Sequence, residues 1–459
     1  MGVPGLAKHF VNGYTRISIE ELKKKKIILL IDLNQYIHLV ADCNPEKNAK
    51  SVVERIVCLQ KKINANQVFA AGDGIPPFAK IVQQRKRRYK SKYSKKKWNP
   101  TAVSPGTIFM KKFDHYFSEY ASKYNLDFDL STNQGEGEHK MFQYIDKIHL
   151  LDDTEIVMSS LDADFFSLCL RVPYYKKLFI FRESSNDYPE CIVSVKRLWE
   201  HLKNPNWSDI KRQHYCAALQ LLGNDFIPNI MSAYTRNKGT MSFLKKCVSK
   251  IEDTIPVNKS FFKKLFCLMS AYENTRVQRN AFYTKNVKQY EFLDELFASQ
   301  FHFKKQYYYK IAGVTESDIN NVCTKYLEGL LFVENYFTNH KTESTYFYPY
   351  AGAPLLIDYL DFDISLISDE IYSDSCSKIP EMFHLLYIIP PWDCHLLSEL
   401  QQKHYNTFRK EHLSYFPSKC FLHHTFQTYD WEADILISLP EFNFYLKNAI
   451  FEESKENNK

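Results

Sequence analysis

Three short apolar runs, each closing on carboxylates, constrain this chain more than anything else in it: IILLIDLN at residues 27 to 34, QVFAAGDG at 67 to 74 and IVMSSLDAD at 156 to 164. Runs of this length, rich in Ile, Leu and Val, predict strands buried on both faces. Segments of helical period lie between them, at 52 to 64 and 140 to 148. The alternation predicts an α/β fold, a mostly parallel sheet with helices on both faces. Ligands of such sheets sit at the carboxyl ends of the strands, where this chain puts its acids.

From about residue 240 the pattern changes to longer amphipathic stretches, such as 260 to 270 and 287 to 299, with few strand signals before roughly 420. The second half is therefore expected to be mainly helical. Residues 235 to 255 hold no Gly/Pro-rich linker, so the halves are expected to pack together rather than swing on a tether. A length of 459 residues suits two or three domains with a large core. The boundaries we expect are 1–240 and 241–459, with a polar, frayed tail at 453–459. No apolar run reaches the length of a membrane span, and the first residues lack a secretion signal's pattern. The 11 cysteines form no Cys-x-x-Cys pair, which suits reduced thiols and predicts no structural zinc.

Asp32 and Asp73 end the first two runs, and Asp162 and Asp164 end the third. Glu136 and Glu138 come from the turn Gly135-Glu136-Gly137-Glu138-His139-Lys140, and Asp225 from Leu222-Gly223-Asn224-Asp225-Phe226. A lone Asp is most often a cap or turn residue. Several acids arriving at one rim repel one another unless cations sit among them. Hard oxygen ligands without His or Cys select Mg²⁺ or Mn²⁺, and two such ions can clamp both oxygens of an in-line phosphoryl displacement, here phosphodiester hydrolysis. His139, beside them, is expected to be a hydrogen-bond donor behind the carboxylates.

The net charge of +7 is modest, but from Lys80 to Lys97 the chain reads KIVQQRKRRYKSKYSKKK, ten basic residues in eighteen with no acid. Such a run suits a polyanion, while a solvated basic loop or a nuclear address at 85–88 explains it equally well. Aromatics make up 15% of the chain, enough to spare rings for stacking.

The residues themselves then point to a family. In order, MGVP, LIDLNQYIH, GDGIPPFAKIVQQRKRR, SPGTIFM, GEGEHK, SLDADF and GNDFIP, followed by YLEGLLFVENYF, FYPYAGAP, LLYIIPPWDCHLL and a last block at 429–432, resemble the 5′→3′ exoribonucleases of the Xrn type. The resemblance implies a PIN-like (Rossmann-like) nuclease core holding two divalent ions. It implies removal of nucleotides one at a time from single-stranded RNA bearing a 5′-monophosphate. Motif by motif, Asp32, Asp73, Glu136, Glu138, Asp162, Asp164 and Asp225 fall on the family's metal-binding acids. Lys80, Gln84, Arg87 and Arg88 fall on its pocket for the terminal phosphate, spaced so that a helix puts them on one face. His38 falls on its base-stacking histidine.

The sequence departs from the family in three places. Two tryptophans usual before the Tyr-Pro-Tyr block are absent, with Glu343-Ser344-Thr345-Tyr346-Phe347 in their stretch, so Tyr346 is the expected substitute facing His38. The proline usual before the GEGE turn is Gln134. The chain also stops soon after the family core, which leads us to expect a minimal enzyme of a size that a large DNA virus could encode. A structure-specific DNA flap endonuclease is the nearest rival, and no Gly-x-Gly hairpin motif follows Asp225 to support it. An inactive RNA-binding relative would be expected to lack some of the acids. We further expect a monomer in the cytoplasm, with the nucleus left open, whose substrates come from a decapping activity.

Overall fold

The computed structural model describes residues 10–22, 25–93, 98–148, 150–184, 189–233, 239–284, 303–339, 345–368, 379–423 and 434–439. The motif at 1–4, the stretch 287–299, the lysines at 95–97, the residues at 343–344, the block at 429–432 and the tail at 453–459 lie outside them.

β2 (Lys26–Asp32), β3 (Gln67–Ala71), β4 (Asp127–Asp129), β5 (Thr154–Ser159) and β6 (Leu178–Arg182) run parallel in one sheet. Its strand order is β1-β7-β6-β5-β2-β3-β4, with β1 (Arg16–Ile17) and β7 (Cys191–Ser194) pairing antiparallel at one edge. The sheet is mostly parallel, as the apolar runs predict. Strands β1, β4 and β7 are too short to carry a long apolar run of the kind that announces the other three.

The continuous apolar runs reflect burial on both sides. Ile28 and Leu30 of β2 join one core with Ile156, Met158, Leu178 and Ile180, while Ile27, Leu29 and Ile31 join another with Val68, Ala70 and Val157. Residues 27 to 31 are at most 6% exposed, and each such side chain contributes about 2 kcal/mol relative to an exposed one. The second core is closed by the helices Pro45–Ile63 and Ile108–Ser122. The first continues without a break into the second half of the chain through Tyr326, Leu330, Phe332 and Tyr336 of the helix Ile319–Asn339.

Local signals set the helix ends. Asn44 accepts a hydrogen bond from the Lys47 N–H with Pro45 at the first turn, and Asn64 closes the same helix at φ 58°. The stretch 260 to 270 is helical as its period predicts, starting at Lys259 under an Asn258 cap. Beyond residue 240 the described residues are mainly helical, with one antiparallel strand pair, Phe421–His423 and Asp434–Leu436. Among the described residues no helix is long and apolar enough to cross a membrane.

Candidate active site

The parallel register fixes where the acids emerge. Asp32 is the last residue of β2 and lies opposite Ala71, while Ile31 lies opposite Ser159. Asp73 and Asp162 therefore leave the sheet just beyond Asp32, on adjacent strands of the same rim. Asp32 also caps the helix Leu33–Val40, accepting from the Gln35 N–H at 3.3 Å, so one carboxylate fills both the bland role and the chemical one.

Asp73 is held on every side. Its Oδ1 accepts from the Gly137 N–H at 2.7 Å, its Oδ2 from the Asn34 amide at 2.9 Å, and its own N–H donates to Asn34 Oδ1 at 3.0 Å. The glycines let the GEGE turn come this close. A Cβ on Gly74 would fall 1.7 Å from the Asn133 carbonyl oxygen, and one on Gly137 would fall 2.7 Å from that of Ala71. Gly135 itself sits at φ 100°, a region that side chains disfavour. Lys140 locks the same junction from behind, donating to the Gly72 and Leu130 carbonyls at 2.9 and 2.7 Å.

Glu136 precedes and Glu138 lies in the first turn of the helix Gly137–Lys147, which packs against β3 and β2. Glu136 takes a 2.6 Å ion pair from Lys80 and a hydrogen bond from the hydroxyl of Tyr336. Lys80 reaches Asp225 at 2.7 Å with the same ammonium. Asp225 projects from a tight turn in which Asn224 Oδ1 accepts from the Phe226 and Ile227 N–H groups and Gly223 sits at φ 88°. The loop carrying Asp162 is pinned by Arg182, which donates to the Leu161 carbonyl at 2.7 Å.

Crowding shows in the acidities. Burial, then Asp73 and Asp162, push the Asp32 carboxyl well above its ordinary range. Burial and then Glu136, with Asp162 and Asp164 behind it, do the same to Glu138, and burial raises Glu136 despite Lys80. Burial also opposes charge on Asp225, yet Lys80 outweighs it and holds that carboxyl well below its usual range. Such a group keeps its charges together only if more positive charge joins Lys80. Glu136, Glu138 and His139 can bring one ligand atom each to within 4.8 Å of one another. The donors are oxygens apart from that one imidazole, a set that fits a hard divalent cation. His139 Nε2 lies 3.9 Å from Glu138 Oε1, and its ring packs 4.0 Å from that of Tyr336.

The helix Phe78–Lys90 carries the basic run and divides its labour. Lys80 belongs to the acids in this structure, whereas the motif match places it in the phosphate pocket. One and two turns on, Gln84 and Arg88 are buried and Arg87 is exposed beside them. Arg88 donates to Ser104 Oγ at 3.1 Å while its Nε is buried without a partner, and burial, then Arg87, work against its charged form. Gln84 Oε1 meets His384 Nε2 at 2.9 Å. A buried guanidinium with an unspent N–H, next to a fixed amide, is suited to an anion. Arg85 has another task. It is fully buried, donates to the carbonyls of Tyr387 and Tyr415, and lies over the rings of Tyr89 and Tyr387. Lys92 is exposed, bonds the Ser418 carbonyl and covers Trp392.

His38 is exposed near the end of the Leu33–Val40 helix, and the ring beside it is Trp98, whose indole N–H donates to His38 Nδ1 at 3.0 Å. Tyr346, the expected partner, turns to the helix Ile319–Asn339: its ring stacks on Phe332 at 5.1 Å and its hydroxyl donates to the Lys325 carbonyl at 2.7 Å. The position is set by Gly329, where a Cβ would fall 2.3 Å from that hydroxyl. Asn34, Trp98, Tyr336 and His384 are the site residues that sequence reasoning misses. Asn34 sits inside the first run, two residues after the Asp32 cap, and is the one among them that local spacing could reveal.

Comparison with known proteins finds likeness to the same family in the first part of the chain. The family model described as XRN 5′-3′ exonuclease N-terminus matches residues 1–97 and 90–184. The "Putative 5′-3′ exonuclease R528" of Acanthamoeba polyphaga mimivirus is 26% identical over 255 residues, covering 45% of this chain and 40% of that protein. The 5′-3′ exoribonuclease 2 of Debaryomyces hansenii is 24% identical over 291 residues, covering 44% and 29%. The 5′-3′ exoribonuclease 1 of Saccharomyces cerevisiae is 25% identical over 279 residues, covering 47% and 18%. This chain thus matches well under half the length of each of these relatives. Among solved structures, the catalytic core of Rad2 in complex with DNA substrate is 15% identical, covering 78% of this chain and 92% of that one at a TM-score of 0.38. The T5 D15 protein co-crystallised with metal ions is 15% identical, covering 57% and 95% at a TM-score of 0.30.

Proposed function

The chain resembles the Xrn-type 5′→3′ exonucleases through its first 184 residues, and on that premise we propose that it is a 5′→3′ exoribonuclease acting on single-stranded RNA with a 5′-monophosphate. The observation that carries this reading is the placement, on one helix, of Lys80 among the rim acids and of Arg88 with an unspent buried N–H two turns away. At about 1.5 Å per residue, eight residues of helix span about 12 Å, room for one nucleotide between its two phosphates.

In this reading Asp32, Asp73, Glu136, Glu138, Asp162, Asp164 and Asp225 hold two divalent ions of the Mg²⁺ or Mn²⁺ kind. When bound, such ions neutralise developing charge on the attacking and leaving oxygens of the scissile phosphodiester. The chain's own residues do the rest. Asn34 and the Gly137 N–H fix both oxygens of Asp73, so that carboxylate meets its ion without reorienting. Lys80 orients Glu136 and Asp225 with one ammonium and keeps Asp225 charged. Arg88, with Gln84 and Arg87, receives the terminal phosphate, beside Val103 and Ser104, which Arg88 bonds, and His384, which bonds Gln84. The resemblance to the family implies a pocket too small for a cap or triphosphate. His38 packs against the first base, a contact indifferent to base identity. The products are nucleoside 5′-monophosphates, and the substrates are ends left by an upstream step, such as decapping, that exposes a 5′-monophosphate.

The test is a gel assay in Mg²⁺ on one single-stranded RNA, labelled at its 3′ end, carrying a 5′-monophosphate, a 5′-hydroxyl or a cap, beside a DNA flap. Loss of the monophosphate RNA alone is expected. Cleavage of the flap with RNA untouched would replace this reading with that of a flap endonuclease, and cleavage of neither would leave a protein that only binds RNA.

A further inference from the structure

We propose that Trp98 is the positioning residue for His38, fixing its tautomer and plane so that the imidazole is ready to stack on the first base. The inference rests on the nuclease reading above for what stacks there, and on the geometry for the rest. Indole nitrogen can only donate a hydrogen bond. The 3.0 Å contact from Trp98 Nε1 therefore requires His38 Nδ1 to be the unprotonated nitrogen, and a neutral ring then carries its proton on Nε2. The Nδ1 lone pair lies in the plane of the imidazole, so the indole meets that ring at its edge. The rings are 6.2 Å apart at 79°, in keeping with such a meeting. This bond thus leaves both faces of the imidazole to other partners.

Trp98 is itself braced. Its ring packs edge-on against Phe109 of the helix Ile108–Ser122, 5.5 Å away at 75°. The next residue, Asn99, accepts from the Thr101 N–H at 2.9 Å within its own turn and donates to Asp393 at 2.8 Å, tying the segment to a distant part of the chain. An exposed histidine free to turn about χ1 loses that freedom when a base stacks on it. One already held loses less, and binds more tightly for the same contact. Trp98 arrives from the segment after the basic helix, so the aromatic support for His38 comes from a different part of the chain than the stretch around Tyr346.

The experiment measures binding of a fluorescent single-stranded RNA with a 5′-monophosphate, in EDTA, to the full chain and to Trp98→Phe, His38→Ala and the double variant. Trp98→Phe keeps a ring on Phe109 and removes only the donor. Each single variant is expected to weaken binding about tenfold, the scale of one stacked base, and the double variant to be no weaker than His38→Ala alone. Nitrogen NMR is expected to show one His38 tautomer, protonated on Nε2, in the parent chain and a mixture in Trp98→Phe. Losses that multiply in the double variant would overturn the proposal, as would unchanged binding by Trp98→Phe with an unchanged melting temperature. Binding in EDTA does not depend on turnover, so a parent chain that binds RNA with this coupling but cleaves none sinks the nuclease reading and keeps the Trp98–His38 pair. A parent chain that binds no RNA sinks both.

Discussion

The rim acids and the basic helix Phe78–Lys90 hold most of the charge at the site, and they are built in opposite ways. The acids leave the backbone at local devices, namely strand ends, a glycine turn and an Asx turn. The basic helix is sorted into roles by partners some 300 residues away, with Tyr387 and Tyr415 on Arg85 and His384 on Gln84. A charge pattern that looks uniform along a sequence thus becomes, on one helix, a counter-ion, an anion site and a structural clamp.

The largest expected effect removes a rim acid. Asp164→Ala should lower turnover in Mg²⁺ about a thousandfold or more while leaving RNA binding in EDTA largely intact. Mg²⁺ should also raise the melting temperature of the parent chain more than that of the variant, a readout independent of turnover. Wild-type turnover by the variant would break the claim that these acids work as one site.

Next is Arg85→Ala, which tests the opposite pole. It strips a buried charged donor from two carbonyls and two rings, so the expected cost is about 3 kcal/mol of stability, read by denaturant unfolding. Arg85→Lys should not restore it, because an ammonium cannot reproduce the fork. If Arg85→Ala instead weakens RNA binding with stability unchanged, the run acts as one polyanion surface and the division of labour fails.

This contrast also explains what could be read in the sequence. Buried parallel strands write themselves as apolar runs, and the acids at their ends inherit position from the register, which is why Asp32, Asp73, Asp162 and Asp164 and the α/β core were legible. Phe78–Lys90 was legible as a helix with one polar face. Its assignments were not, because the place of Lys80 depends on Glu136 and Asp225, and nothing near residue 80 encodes them. Tyr346 was chosen for its neighbourhood in the motif, and Gly329, on a helix seventeen residues earlier, decides where its ring goes. Trp98 and His384 lie in segments whose local patterns carry no chemistry at all.

A smaller effect asks what crowding, as distinct from burial, does to the acids. Asp114 is a buried carboxyl away from the rim, hydrogen-bonded to Ser131 at 2.5 Å and pushed up to about 6 by burial. The folded chain therefore holds this proton more tightly than the unfolded chain, whose carboxyl titrates near its ordinary value. Between about pH 4 and 6 the folded state binds more protons, so stability from this group falls as pH rises through that window and stays lower above it. Asp114→Asn should remove the fall and stabilise the chain at pH 7.5 by about 2 kcal/mol. Unfolding curves at pH 4.5 and 7.5 read this directly, and the same slope in the variant would assign the fall to the rim.

The smallest expected effect sharpens the basic side. Burial, then Arg88, pushes His384 down to about 3, so its ring is neutral wherever the chain is studied and adds no charge to the anion site. What it gives is orientation. With its Nε2 donating to Gln84 Oε1, the amide NH₂ of Gln84 must point away from the histidine, and only that end can donate to a phosphate. His384→Ala should therefore lower the preference for a 5′-monophosphate over a 5′-hydroxyl end about tenfold, the worth of one hydrogen bond to a charged group, with little change on the hydroxyl substrate. Gln84→Ala should cost the same, and the two together no more. Because the histidine does not titrate, the ratio between variant and parent should stay flat from pH 5.5 to 8.5, even as the terminal phosphate passes its own second ionisation near about 6. A ratio that changes with pH would mean that His384 carries charge in the site, and the anion would then be held by three cations instead of by one buried guanidinium, its exposed neighbour and a well-aimed amide.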